Sequence, residues 1–85
     1  MRDEELAAAL AGLPGWQQER DAIRRVYAFD DLGAANRFVR RVIDLALARD
    51  TTPAIEWDGG RVLIALGRGR GAGRGDVEFA RRLDG

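Results

Sequence analysis

At 85 residues the chain is long enough for one small domain, residues 1–85, and too short to bury much apolar surface alone. That predicts association with further copies, as a homodimer or homotetramer. Its 14 basic and 14 acidic residues cancel, so a bulk polyelectrolyte such as duplex DNA is not an expected partner. Every basic residue is arginine, and cysteine and histidine are both absent. These absences exclude disulfides, thiolate metal sites and lysine chemistry; no metal and no cofactor are expected, and only carboxylates, Tyr27 or water could move protons near neutral pH.

The opening "MRDEELAAALAGLPGW" places Leu6, Ala9, Leu10 and Leu13 at helical spacing, with Asp3, Glu4 and Glu5 where a helix dipole favours acids. A first helix over 2–13 is predicted, broken by "PGW" at 14–16. With acids directly before its short apolar run, the start does not resemble a signal peptide, and no apolar run is long enough to span a membrane. A cytoplasmic protein is expected. "WQQE" reads as a short strand beside "DAIRRVYAFDD". In the latter Ile23, Arg25, Tyr27 and Phe29 share one face and Arg24, Val26 and Ala28 the other, an alternation that predicts a strand ending at Asp30.

Asp31 is positioned to cap the long helix that follows, whose inward residues are predicted as Leu32, Ala35, Phe38, Val39, Val42, Leu45 and Ala46. Arg37, Arg40, Arg41 and Asp44 form its solvated face. "AIEWDGGRVLIAL" reads as a hairpin turning at 58–60, with Val62, Ile64 and Leu66 pointing to one side. A short helix closes the chain, with Asp76 at or near its N-cap and Val77, Ala80 and Leu83 inward. The order α-β-β-α-β-β-α predicts an α+β fold: a four-stranded antiparallel sheet covered on one face by helices.

Between the last strand and the last helix stands "LGRGRGAGRGD", Leu66 to Asp76. Gly67 to Ala72 fit a relaxed G-x-G-x-x-A dinucleotide fingerprint, but a dinucleotide fold needs an acid about 20 residues further on and the chain ends before that. A phosphate-binding P-loop needs a lysine. Arginines among flexible glycines can follow an RNA backbone, so Arg68, Arg70 and Arg74 are candidate ligand or partner contacts. Such segments interleave aromatics or repeat at length, and this one does neither. A mobile loop whose glycines allow irregular backbone is the simpler expectation.

"RDAIRRVYAFDDLGAANRFVRRV", Arg20 to Val42, resembles the pterin-4a-carbinolamine dehydratase family, which carries a stretch like R-D-A-I-x-[RK]-x-F-x-F-x-D-F-x-x-A-x-x-F. Ile23, Arg25, Tyr27, Phe29, Asp31, Leu32, Ala35 and Phe38 fall in register. "LAGLPGW" is similar to the family's early L-x-G-W, and "PAIEWDGGRVLIAL" to its P-x-I-x-x-x-Y-N-x-V-x-V-x-L segment. The resemblance implies the same element order and a reaction that removes water from a 4a-hydroxytetrahydropterin to give a dihydropterin.

The departures fall where that family works. His-His-Pro becomes Thr51, Thr52 and Pro53; the fourth-strand histidine becomes Gly69; the aspartate opening the last helix is matched by Asp76. The resemblance therefore marks Thr51, Thr52, Pro53, Gly69 and Asp76 as positions of a vestigial pterin pocket. Threonine cannot replace histidine as an acid or base, and arginine stays protonated throughout the useful range. Asp50, Glu56 or Asp76 could substitute only if burial raised a carboxyl pKa; Thr51 and Thr52 also read as ordinary residues at a helix exit, and Asp76 as a cap. Three functions follow as expectations. The first is a catalytically degenerate domain that binds a protein partner or a pterin ligand, since some members of the family serve as partners of other proteins. The second is a dehydratase using carboxylates or water, and the third an RNA-binding module acting through the Gly/Arg loop.

Overall fold

A computed structural model describes residues 1–84 of the chain. Its elements are α1 (Asp3–Ala11), β1 (Gln17–Glu19), β2 (Ala22–Ala28), α2 (Leu32–Ala48), β3 (Ala54–Asp58), β4 (Arg61–Leu66) and α3 (Arg74–Asp84), in the order expected. The strands form one antiparallel sheet in the order β1-β2-β4-β3. In register, Ile23 faces Leu66, Arg25 faces Ile64 and Tyr27 faces Val62. Because side chains alternate along a strand, these residues share the sheet face that the helices cover.

Burial follows the sequence pattern closely. Ile23, Val62, Ile64 and Leu66 from the sheet pack with Val42 of α2 and with Phe79 and Leu83 of α3, all at 2% exposure or less. Leu6, Leu13 and Trp16 bring α1 and the turn after it into the same cluster. Asp31 caps α2: its carboxylate accepts the Ala34 N–H at 2.7 Å. Arg37, Arg40, Arg41 and Asp44 lie on the solvent side, as predicted.

Four expectations need correction. The first helix is shorter than 2–13, and Leu13 is buried just past its end, in the turn. β2 stops at Ala28 rather than Asp30. Leu32, predicted inward, is 61% exposed: it is the first residue of α2, and burial along the helix begins only at Ala35. Phe79 was not among the predicted inward residues yet is fully buried; the apolar face of α3 is wider than Val77, Ala80 and Leu83 alone suggest.

Candidate functional site

The exit of α2, the start of β3 and the end of β4 meet at one end of the sheet. Ala54 pairs with Ala65 there, which brings Thr52 and Pro53 alongside the residues that follow Leu66. Between them lies a groove of about 300 Å³ lined by Thr52, Pro53, Ala54, Ala65, Arg68 and Arg70. Two positions from the His-His-Pro counterpart and two loop arginines thus share one small cleft. Thr51 is not in it: its N–H donates to Ala46 at 2.9 Å and its hydroxyl to the Arg49 carbonyl at 3.2 Å, a helix-exit role. Gly69 turns away to line a neighbouring groove of about 670 Å³ with Glu19, Arg20, Asp21 and Arg68.

The Gly/Arg loop is folded on itself, not the open segment its composition suggests. The Gly67 carbonyl accepts from the N–H groups of Arg70 and Gly71, and Ala72 N–H donates to Asp21 in the β1–β2 turn at 2.6 Å. Gly67 adopts φ +87°, and a Cβ there would lie 2.7 Å from the Ala72 backbone. Only glycine fits a backbone approach that close.

Each candidate arginine of the loop holds a carboxylate of this chain. Arg68 pairs with Glu56 of β3 at 3.0 Å and Arg74 with Glu5 of α1 at 3.4 Å. Arg70 makes the tightest contact, donating to both oxygens of Asp76 at 2.8 and 2.7 Å. Asp76 lies in the first turn of α3 and caps it from within, accepting the Gly73 N–H at 2.9 Å. It is 3% exposed, the one buried charged residue among those described. Burial alone would push its carboxyl up, but the Arg70 hydrogen bonds, the Gly73 N–H and the Arg70 charge outweigh that and hold it below the ordinary carboxylate range.

A second carboxylate cluster sits at the other end of α3. Asp84 accepts from the indole of Trp16 at 2.9 Å, the guanidinium of Arg25 at 2.9 Å and the hydroxyl of Tyr27 at 2.5 Å. The Arg25 guanidinium also lies 4.5 Å from the centre of the Tyr27 ring. Burial pushes the Tyr27 phenol well above its ordinary value, with the Asp84 hydrogen bond and charge adding to the rise and Arg25 opposing it. Tyr27 is therefore no proton donor near neutrality. Sequence reasoning missed this cluster: Trp16 and Arg25 were visible as motif residues, but nothing in the pattern ties them to an acid 59 or more positions away.

A profile for the family described as "Pterin 4 alpha carbinolamine dehydratase" matches residues 1–85. The chain belongs to the pterin-4a-carbinolamine dehydratase family. Relatives named for that enzyme include one from Koribacter versatilis, 36% identical over 99% of this chain and 92% of its own length. Another, from Mycolicibacterium vanbaalenii, is 36% identical over 100% of this chain and 94% of its own. A Mycobacteroides abscessus relative reaches 41% over 66% of this chain, a match spanning 60% of that protein's length. Among solved structures, a transcriptional coactivator/pterin dehydratase from Brucella melitensis superposes with a TM-score of 0.91 at 27% identity, over 99% of this chain and 94% of that one. The α+β architecture is therefore the family's. No helix among the described residues is long and apolar enough to cross a membrane.

Proposed function

We propose that this family member binds a protein partner or a pterin-like ligand without turning it over. The observation that carries this reading is the loss of histidine at the positions the family resemblance marks, of which Thr52 lines the cleft. Where the resemblance places three histidines the chain has Thr51, Thr52 and Gly69, and it has no histidine elsewhere to replace them. General acid–base catalysis by a group titrating near neutrality is worth about 10²–10⁴-fold, and the imidazoles that would supply it at those positions are absent. Asp76 is held ionised by Arg70, Glu56 is paired with Arg68, and Asp50 sits exposed at the helix exit. The dehydratase reading through carboxylates therefore loses its one buried candidate, since Asp76 is held below the ordinary carboxylate range.

Self-association accompanies this reading. Leu32, Ile43 and Leu47 of α2 and Trp57 of β3 are 61, 45, 76 and 42% exposed, large apolar side chains that a copy in a homodimer or homotetramer would cover. Sedimentation of the purified chain tests it, and a monomer at micromolar concentration would count against it.

The deciding assay is dehydration of freshly generated 4a-hydroxytetrahydropterin against its spontaneous rate, with a Thr51→His/Thr52→His/Gly69→His variant beside the native chain. The native chain is expected to match the spontaneous rate; strong acceleration overturns the reading. Acceleration by the variant would add that the pocket still accepts a pterin. Position 69 has φ +81° and open space around it, so histidine there carries a backbone penalty of about 1–2 kcal/mol but no clash.

A further inference from the structure

Asp76 is almost fully buried, while the side chain paired with both of its oxygens, Arg70, is itself 56% exposed and lines the cleft. Arg70 thus links the buried carboxylate to the groove that Thr52 also lines. Both of its oxygens face Arg70, and the remaining contact at Oδ2, the Gly73 N–H, fixes its orientation through the backbone. Two near-parallel N–H donors from one planar, delocalised group meeting two carboxylate oxygens is a geometry with narrow requirements. A compact ammonium does not reproduce it. A heterocycle with a ring N–H beside an exocyclic amino group does.

We infer that Arg70 is a tethered occupant of a carboxylate site shaped for a planar amidine or guanidine edge, so that the Asp76 carboxylate is masked by the chain's own side chain. The inference rests on the binding reading above and specifies it: any ligand entering beside Thr52 must either displace Arg70 from Asp76 or bind without using the carboxylate. The class of ligand that competes for Asp76 is a flat 2-amino nitrogen heterocycle, whose adjacent donors match the spacing of the guanidinium fork. The tether favours Arg70 in that competition, because its ligand arm is held at high effective concentration by a loop already closed through Gly67.

Arg70→Ala empties the site, and Arg70→Met does so while keeping an apolar stem over the groove, should the alanine variant fold poorly. The first readout is thermal melting with methylguanidinium chloride, below denaturing concentration, against methylammonium chloride at equal ionic strength. Methylguanidinium is expected to raise the melting temperature of the Arg70 variant and not that of the native chain. At about ten times its Kd it shifts the folding equilibrium about tenfold. Equal effects of the two cations, or an effect that survives in Arg70→Ala/Asp76→Asn, would overturn the inference.

The second readout is binding of 2-amino-4-oxopteridine by fluorescence. The Arg70 variant is expected to bind at least about tenfold more tightly than the native chain, a difference of about 1.4 kcal/mol, and to discriminate against 2,4-dioxopteridine, which lacks the amino donor. Equal affinity of native and variant chains for both compounds would overturn it. Neither readout involves turnover. Failure here would leave the non-catalytic reading standing, and a native chain found active would not by itself free Asp76 from Arg70.

Discussion

Asp84→Ala tests how much of the fold depends on three donors converging on a single acid. Trp16 is 4% exposed, so losing the acceptor for its indole N–H leaves a buried donor unsatisfied, at about 1–3 kcal/mol. The Arg25–Asp84 pair is partly wet, with side chains 30 and 22% exposed, and is discounted to about 1 kcal/mol. The Tyr27 hydrogen bond adds about 1 kcal/mol. Together these give about 3–5 kcal/mol, out of the 5–15 kcal/mol typical of a folded domain. At roughly 4–8 °C per kcal/mol for a chain of this size, melting should fall by about 12–40 °C. Urea unfolding followed by tryptophan fluorescence measures it, since Trp16 reports directly on the cluster. Asp84→Asn keeps an acceptor and should cost about half as much. Pairing Asp84→Ala with Tyr27→Phe should show non-additivity of at least about 0.5 kcal/mol. A loss within about 0.5 kcal/mol, as for ordinary surface substitutions, would refute the assignment of Asp84 as the anchor of α3.

The Arg70–Asp76 pair should appear in the acid limb of stability. Since the folded carboxyl lies below its ordinary value, its contribution is fully present above the unfolded pKa of about 3.9 and is lost as pH falls through the folded value. Native and Asp76→Asn chains should differ at pH 7 and converge under acid, as denaturation at a series of pH values would show. Gly67→Ala should cost more than Gly69→Ala, because both glycines have positive φ but only position 67 faces backbone at 2.7 Å; equal melting points would contradict the reading. Asp31→Ala removes the cap on Ala34 N–H and should cost about 1 kcal/mol, read from the same melts.

The elements were legible because their signals are local. Alternation along 23–29 and three-to-four spacing along 35–46 each encode a buried face, and the register that follows, Ile23 on Leu66 and Tyr27 on Val62, brings those faces together. Leu32 was misread because periodicity says which side of a helix is apolar and not where along the helix packing begins, which here is Ala35. At the cleft, the resemblance marked Thr52 and Pro53, which line it, and Asp76, which is tied to it through Arg70, but it also marked Gly69, which lines a neighbouring groove, and Thr51, whose hydroxyl is spent on the helix exit. The links that close the site are ion pairs between side chains six to 69 positions apart. Spacing carries no trace of such pairs, since any of fourteen arginines could meet any of fourteen acids.

Those pairings also bear on the loop's composition. Glu56 comes from β3, Asp76 from α3 and Glu5 from α1, so Arg68, Arg70 and Arg74 tie one glycine-rich segment to three separate elements and leave it nearly neutral. An RNA strand gains affinity from such a loop only by releasing counterions from its phosphates, with a salt slope that scales with the number of positive charges available. Here each guanidinium must first give up a carboxylate, and Arg70 would strand Asp76 buried and unpaired. Binding of single-stranded RNA should therefore be weak, with a log–log salt slope near zero instead of the slope of about −2 that three free arginines would produce. A steep slope abolished by Arg68→Ala/Arg74→Ala, with Arg70 left in place to protect the fold, would show that the outer two pairs open readily and that the loop faces a nucleic acid after all.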